Sequence, residues 1–182
     1  MKKQIPNMLS VLRLIMIPVF VVLYFRYPEA PGTYYALGVY ILAWATDILD
    51  GFLARRNNWI TEAGKILDPL ADKLMQLTAA VCFTIDNRIF LLLLIPLILK
   101  ECGMLIGALI IIKTNKKVEP SHWYGKLASV ILFGCAVVRI LFRGYATLDL
   151  VLCLIMLATM IFALVMYYIK DFRGKYSLKS KK

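Results

Sequence analysis

Six long apolar segments divide this chain, and short polar connections separate them. The segments are residues 9–26, 34–54, 68–86, 89–112, 124–142 and 147–169. One helix needs about 20 mostly apolar residues to cross a bilayer. The chain is 61% hydrophobic, whereas a soluble domain is about 45–50% apolar. The sequence therefore predicts an all-α, polytopic membrane protein with six transmembrane helices, and it excludes disordered chains and most water-soluble enzymes.

The distribution of positive residues sets the expected orientation of these spans. Fourteen Lys and Arg residues flank one set of span ends and the two termini, and three flank the other set. Lys and Arg concentrate on the cytoplasmic side of a membrane. We therefore expect cytoplasmic termini, an interfacial N-terminal segment at about 3–12 and a basic tail from about 170 to 182. Residues 1–182 are expected to form a single domain.

The net charge of +11 indicates anionic partners. The cations lie between apolar segments, which favours lipid headgroups and phosphorylated substrates over nucleic acid. His122 is the only histidine, so a His-based zinc site or a Ser-His triad has almost nothing to build from. Arg139, near the outer end of the fifth span, is expected to snorkel to the interface.

Four carboxylates lie at the cytoplasmic ends of the second and third spans. Asp47 and Asp50 are near the end of one helix, and Asp68 and Asp72 open the next. Spacings of three and four residues place each pair on one helix face. Because the helices are consecutive and antiparallel, the two pairs lie at the same depth in the bilayer. Carboxylates without compensating positive charge cost free energy there, through desolvation and mutual repulsion. Two divalent ions, Mg²⁺ or Mn²⁺, would balance the four charges through oxygen ligands.

The residues around the carboxylates favour a phosphate ligand. Gly51 and Ala54 leave room against the helix backbone, and Arg55 lies one turn beyond Gly51, where its guanidinium can fork onto a phosphate. Gly64 and Pro69 bracket the turn into the third span. The alternative is an ion-pair network at the helix ends, with small residues used for packing. All these residues together favour the phosphate site.

Written out, this stretch is Asp47-x2-Asp50-Gly51-x2-Ala54-Arg55-x8-Gly64-x3-Asp68-x3-Asp72. It resembles the CDP-alcohol phosphotransferase motif at every specified position. Within that family, the opening Ile5-Pro6-Asn7-Met8-Leu9-Ser10-x2-Arg13 is similar to members that use glycerol 3-phosphate. The resemblance covers the whole chain. It implies a homodimer in a membrane, expected to be the bacterial plasma membrane, with its active site facing the cytoplasm.

The resemblance also implies a role for each motif residue. Asp47 and Asp68 would bridge two metal ions. Asp50 would complete the coordination shell of one ion, and Asp72 that of the other. Asp72 would also take the proton of the acceptor hydroxyl. The residues implied to bind CDP-diacylglycerol are Asn7, Ser10, Gly51, Arg55, Thr61 and Gly64. Lys126 and Lys100 are expected to bind the acceptor phosphate, with snorkelling of Lys126 and a structural pair between Lys100 and Glu101 as alternatives.

The implied reaction moves a phosphatidyl group from CDP-diacylglycerol to sn-glycerol 3-phosphate, giving phosphatidylglycerol phosphate and CMP. Phosphatidylglycerol as the acceptor, which yields cardiolipin, is the main alternative, and inositol phosphate is a more distant one. The segment Gly125-Lys126-x-Ala128-Ser129 lacks a lysine that is common in the group. From another class, a cation transporter could also use intramembrane carboxylates, but it would not require Gly51 and Arg55 at these spacings.

Overall fold

The computed structural model of the protein describes residues 5–29, 32–57, 64–101 and 123–179. These residues form α1 Ile5–Arg26, α2 Gly32–Asn57, α3 Gly64–Asp86, α4 (described over 91–101), α5 Trp123–Leu141 and α6 Ala146–Lys179. A one-turn 3-10 helix, Arg88–Phe90, leads into α4. The described ranges contain no strand, which agrees with the all-α prediction.

Two helices run further than the sequence predicts. Pro6 is the second residue of α1, where its missing N–H costs no helical hydrogen bond. From there α1 continues unbroken to Arg26, so the predicted interfacial segment at 3–12 is not a separate element. At the other terminus, α6 extends through most of the predicted tail to Lys179. Good helix formers such as Lys and Arg let the helix continue beyond its apolar part.

Successive helices alternate in direction, so the bundle has two distinct ends. At one end Arg13 of α1 contacts Asp50 of α2, and Lys73 of α3 pairs with Glu101 of α4. We call this the carboxylate end. At the opposite end Arg143, in the turn after α5, contacts Asp86 of α3. Gly144 follows with φ 96°, a left-handed conformation that glycine adopts readily.

The bundle has an aromatic interior and an apolar exterior. Phe20, Phe83 and Phe90 are buried in the core, and Trp44 of α2 stacks on Phe133 of α5 with ring centroids 4.1 Å apart. The exposed large apolar side chains include Ile15, Val22, Leu92, Leu154 and Ile161. Such a surface suits contact with lipid tails or a partner.

Two helices in the described ranges are long and apolar enough to cross a bilayer, over Met8–Arg26 and Ala146–Met166. A shorter apolar helix covers Leu127–Leu141. The helices α2 and α3 carry the conspicuous acidic residues, which lower their hydropathy. The structure therefore supports two candidate spans directly.

Candidate active site

A buried arginine holds the two carboxylates of α2. Arg13 of α1 is 1% exposed. Its Nη1 lies 2.9 Å from Oδ1 of Asp47, and its Nη2 donates to Oδ2 of Asp50 at 2.6 Å. Its Nε donates to the carbonyl of Ala43, one turn earlier on α2, at 3.2 Å. The planar guanidinium suits this forked geometry, and both carboxylates therefore converge on one point.

Arg13 changes the predicted charge balance of the site. The sequence predicts that divalent ions compensate all the charge of the carboxylates. In the structure, Arg13 supplies one of the positive charges. An arginine inside an apolar segment is expected to find an acidic partner. That signal identifies Arg13, which the sequence analysis left without a role in the site. Asp50 is buried with it, and Asp47 stays partly accessible.

Asp72 lies at the same end and remains accessible. It is exposed on α3 and lines a cavity together with Arg13. Arg13, Asp47, Lys73 and Glu101 are close enough to act on its carboxylate electrostatically. The structure thus brings together three of the four predicted carboxylates, from α2 and α3. The side chain of the fourth, Asp68, lies outside the described residues.

The residues predicted to bind the donor lie around this arrangement where the structure describes them. Ser10 is one turn before Arg13 on α1 and is fully buried. Gly51 directly follows Asp50 and is half-buried. For Asn7, Arg55, Gly64 and Lys126 only the helix backbone is described, and Thr61 lies outside the described residues.

Two lysines and a buried glutamate form a second charged cluster at the carboxylate end. Glu101 of α4 forms a close ion pair with Lys73 of α3. Its Oε1 also lies 3.0 Å from Nζ of Lys100. The lysine side chains are 28% and 22% exposed, whereas the glutamate is 5% exposed. The pair with Glu101 is the one anticipated as the structural alternative for Lys100, and Lys73 is a cation to which the sequence analysis gave no role.

A cavity extends from this end into the bundle. The centre of a water molecule can occupy about 70 Å³ of it, and side chains from all of α1 to α6 surround it. Its polar lining groups are the side chains of Arg13, Asp72, Gln76 and Ser129, the hydroxyl of Tyr40 and the indole N–H of Trp44. Its remaining lining is largely apolar and aromatic, including Phe83, Leu93, Leu97, Phe133 and Met156. The cavity can therefore hold a small polar molecule against Asp72 while apolar walls limit the access of water.

The opposite end contains a separate buried network. Arg139 is 1% exposed, and its Nε lies 2.5 Å from Oδ1 of Asp149. Arg143 donates to Asp86 at 2.5 Å, which also accepts a hydrogen bond from Tyr24 at 2.6 Å. The expected snorkelling of Arg139 is therefore wrong, because acidic partners are available at its own depth.

Comparisons with known proteins agree with this architecture. The sequence pattern of the CDP-alcohol phosphatidyltransferase family matches residues 3–169. A CDP-diacylglycerol–glycerol-3-phosphate 3-phosphatidyltransferase of Aquifex aeolicus is 37% identical over 131 residues, which are 70% of each chain. The enzyme of the same name from Pseudomonas fluorescens is 47% identical over 77 residues, 42% of this chain and 39% of that protein. A cardiolipin synthase (CMP-forming) of Streptomyces coelicolor is 37% identical over 128 residues, 69% of this chain and 59% of that protein.

The fold and the site define a helical protein in which Arg13 holds Asp47 and Asp50 and lines a cavity with Asp72. The chain belongs to the CDP-alcohol phosphatidyltransferase family, and it is accordingly a transferase.

Proposed function

We propose that this protein transfers the phosphatidyl group of CDP-diacylglycerol to sn-glycerol 3-phosphate and releases CMP. The observation that carries the proposal is that Arg13, which holds Asp47 and Asp50, lines one cavity together with Asp72. The printed names of the Aquifex and Pseudomonas relatives supply the two substrates. The cations of this end suit a phosphorylated acceptor.

In this proposal Asp72 is the general base. It is the accessible carboxylate that lines the cavity, so an acceptor hydroxyl can reach it. As Asp72 takes the proton, the acceptor oxygen forms a bond to the β-phosphorus of CDP-diacylglycerol in line with the leaving group. The bond from that phosphorus to the CMP oxygen breaks, and CMP departs. Asp72 must therefore be ionised and within hydrogen-bond reach of the acceptor hydroxyl.

The carboxylates fit two divalent ions, Mg²⁺ or Mn²⁺. Hard cations prefer oxygen ligands, and Asp47 and Asp50 already turn their oxygens toward one cationic group. Within the described side chains no group of three metal-type ligands occurs, so the proposed set needs Asp68 beside Asp47, Asp50 and Asp72. When bound, the ions would stabilise negative charge on the attacking and leaving oxygens.

The donor and the acceptor are assigned to different sets of residues. Arg55 would hold the donor diphosphate, with Gly51, Gly64, Thr61 and the Asn7–Ser10 segment around the cytidine and phosphates. Lys126 and Lys100 would bind the acceptor phosphate. Two lysines pair with the single Glu101 and leave this cluster with a net positive charge at the carboxylate end, which supports an anionic acceptor.

Phosphatidylglycerol is the second candidate acceptor, and the match to a cardiolipin synthase favours it. The two relatives at 37% identity differ in the acceptor that their names imply, so overall identity does not separate them. Both reactions use the same donor and release CMP. An assay of acceptor choice is therefore needed to separate them.

The proposal includes a membrane topology as well. Six spans, both termini in the cytoplasm, a homodimer and an active site facing the cytoplasm fit the alternating helices and the positive residues at one set of span ends. Lipid headgroups would then contact the basic end of α6. The bacterial plasma membrane is the proposed location.

The test offers labelled glycerol 3-phosphate or phosphatidylglycerol to the detergent-solubilised protein with CDP-diacylglycerol and Mg²⁺ or Mn²⁺. We expect metal-dependent CMP release and a phosphatidylglycerol phosphate product, identified by thin-layer chromatography. A cardiolipin product would show that the acceptor is phosphatidylglycerol and not glycerol 3-phosphate. An absence of CMP release with either acceptor would reject the transferase proposal, and a cation flux without lipid product would favour a transporter.

A further inference from the structure

Some polar side chains that line the cavity have no role in the reaction described above. Gln76 of α3 lines the cavity with Asp72 and is half-buried. The two residues are four positions apart and lie on one helix face. Their Cα atoms are separated by about 6 Å along the helix axis. Gln76 therefore sits one turn deeper in the bundle than the proposed base.

The direction of the side chain brings its amide back toward Asp72. Side chains of an α-helix lean toward the N-terminus of the helix, and α3 runs from the carboxylate end inward. Because glutamine is one methylene longer than aspartate, its amide can approach the space beside the Asp72 carboxylate. If one group of a bound molecule contacts Asp72, the atoms next to that group can contact the Gln76 amide.

The amide of Gln76 is available to a polar ligand. Among the described residues, its side chain makes no hydrogen bond to the protein. The cavity walls below it are apolar, with Phe83, Leu93 and Leu97 among them. A carboxamide has two N–H donors and one acceptor oxygen, and these groups can pair with a polar molecule in the cavity.

Besides Tyr40 of α2, Ser129 of α5 contributes a hydroxyl group to the cavity lining. Its hydroxyl donates to the carbonyl of Gly125 at 3.1 Å, which leaves the oxygen lone pairs available as acceptors. A ligand hydroxyl can donate to Ser129 or to the Gln76 carbonyl and accept from the Gln76 amide. Hydroxyl recognition matches these groups better than phosphate recognition, because neither group carries a charge.

We propose that Gln76 binds the second hydroxyl of a polyol phosphate acceptor while the first hydroxyl reacts at Asp72. This inference rests on the proposed function. It adds that the site recognises the second hydroxyl of the acceptor. Vicinal hydroxyls of a three-carbon chain are close enough to contact side chains one helix turn apart when the longer of these leans back. The acceptor phosphate is then left to the proposed acceptor lysines, Lys126 and Lys100.

The experiment compares glycerol 3-phosphate with 3-hydroxypropyl phosphate, which lacks only the second hydroxyl, in the full-length enzyme and in Gln76→Met. Methionine keeps the length of the side chain without the amide. We expect the unmodified enzyme to prefer glycerol 3-phosphate, and we expect Gln76→Met to lower kcat/KM for that acceptor by about tenfold. The value for 3-hydroxypropyl phosphate and the KM for CDP-diacylglycerol should be unchanged. Thr78→Val is the matched control, since Thr78 is on α3 but does not line the cavity.

Equal losses with both acceptors would overturn the proposal, because they would mean that Gln76 acts through packing. An unmodified enzyme without preference for the second hydroxyl would overturn it too, and this measurement needs no variant. The proposed function fails in a different way, since the unmodified enzyme would then use neither phosphate acceptor. The comparison of two acceptors in the unmodified enzyme therefore separates the two failures.

Discussion

At the scale of single residues, Asp72 is the side chain whose removal should affect the chemistry most directly. Asparagine keeps the size of aspartate and some ability to bind metal, but it does not accept a proton at neutral pH. Asp72→Asn should lose at least about 10²-fold in turnover while the protein folds and binds CDP-diacylglycerol. CMP release and donor binding across a Mg²⁺ or Mn²⁺ titration measure both effects.

Asp47→Asn is the comparison for that experiment. Because Asp47 is proposed to contact both ions, this change should weaken donor binding and raise the metal concentration required. Near-normal turnover in Asp72→Asn would remove the base assignment. Full recovery of Asp72→Asn in excess metal would make Asp72 a ligand only and leave the metal site in place.

Arg13 gives a second prediction at this scale. Its replacement by alanine leaves the buried Asp50 carboxylate without its 2.6 Å partner, and breaking a buried pair from one side costs roughly 3–5 kcal/mol. We expect a lower unfolding temperature in detergent for Arg13→Ala and a smaller loss for Arg13→Lys. Arg26→Ala is the control, because Arg26 is exposed at the end of the same helix. An equal, small effect of Arg13→Ala and Arg26→Ala would contradict the argument.

The acceptor lysine gives a third prediction. Lys126→Ala should raise the KM for glycerol 3-phosphate by about 10- to 150-fold, the effect of losing a charge-assisted contact. The KM for CDP-diacylglycerol should change far less. Steady-state kinetics with each substrate varied in turn would measure this. Equal changes for both substrates, or no change, would reject the assignment, and an acceptor without a phosphate should be insensitive to the substitution.

At the scale of elements, the buried network of the opposite end joins helices that are distant in sequence. Asp149 of α6 is 3% exposed and pairs with Arg139 of α5. Arg139→Ala should therefore destabilise the protein by roughly 3–5 kcal/mol with little change in kcat/KM, because the network is far from the carboxylates. Thermal unfolding in detergent and the transfer assay at low temperature measure the two effects. Arg88→Ala, an exposed position before α4, is the control, and an unchanged unfolding temperature for Arg139→Ala would contradict the prediction.

The helices themselves are predictable from apolar segments, and their charged contacts are less so. The predicted spans 124–142 and 147–169 correspond to α5 and to most of α6, because long apolar segments have few alternatives to a helix. The pairing of Asp47 with Asp50 on one face follows from helix periodicity. The contact of Arg13 with both depends on how α1 packs on α2, which no local pattern encodes. The same holds for Arg139, whose partners come from two other helices.

At the scale of the whole molecule, the arrangement of charge predicts how the bundle sits in the membrane. The carboxylate end contains the proposed active site, and the water-soluble acceptor and the CMP product belong in the cytoplasm. The excess of Lys and Arg lies at the same set of span ends. Because the described helices alternate in direction, an even number of spans returns the C-terminus to the side of the N-terminus.

This topology can be measured with reporters fused to each terminus. A fluorescent protein that matures only in the cytoplasm should be bright, and an alkaline phosphatase that works only outside should be inactive, at both the N- and C-termini. A phosphatase placed in the turn at Gly144, at the opposite end of the bundle, should be active and serves as the internal control. An active phosphatase at one terminus would mean an odd number of spans. An active phosphatase at both termini would show that the bundle has the opposite orientation. The carboxylates would then lie outside the cytoplasm, away from the pools of CMP and glycerol 3-phosphate.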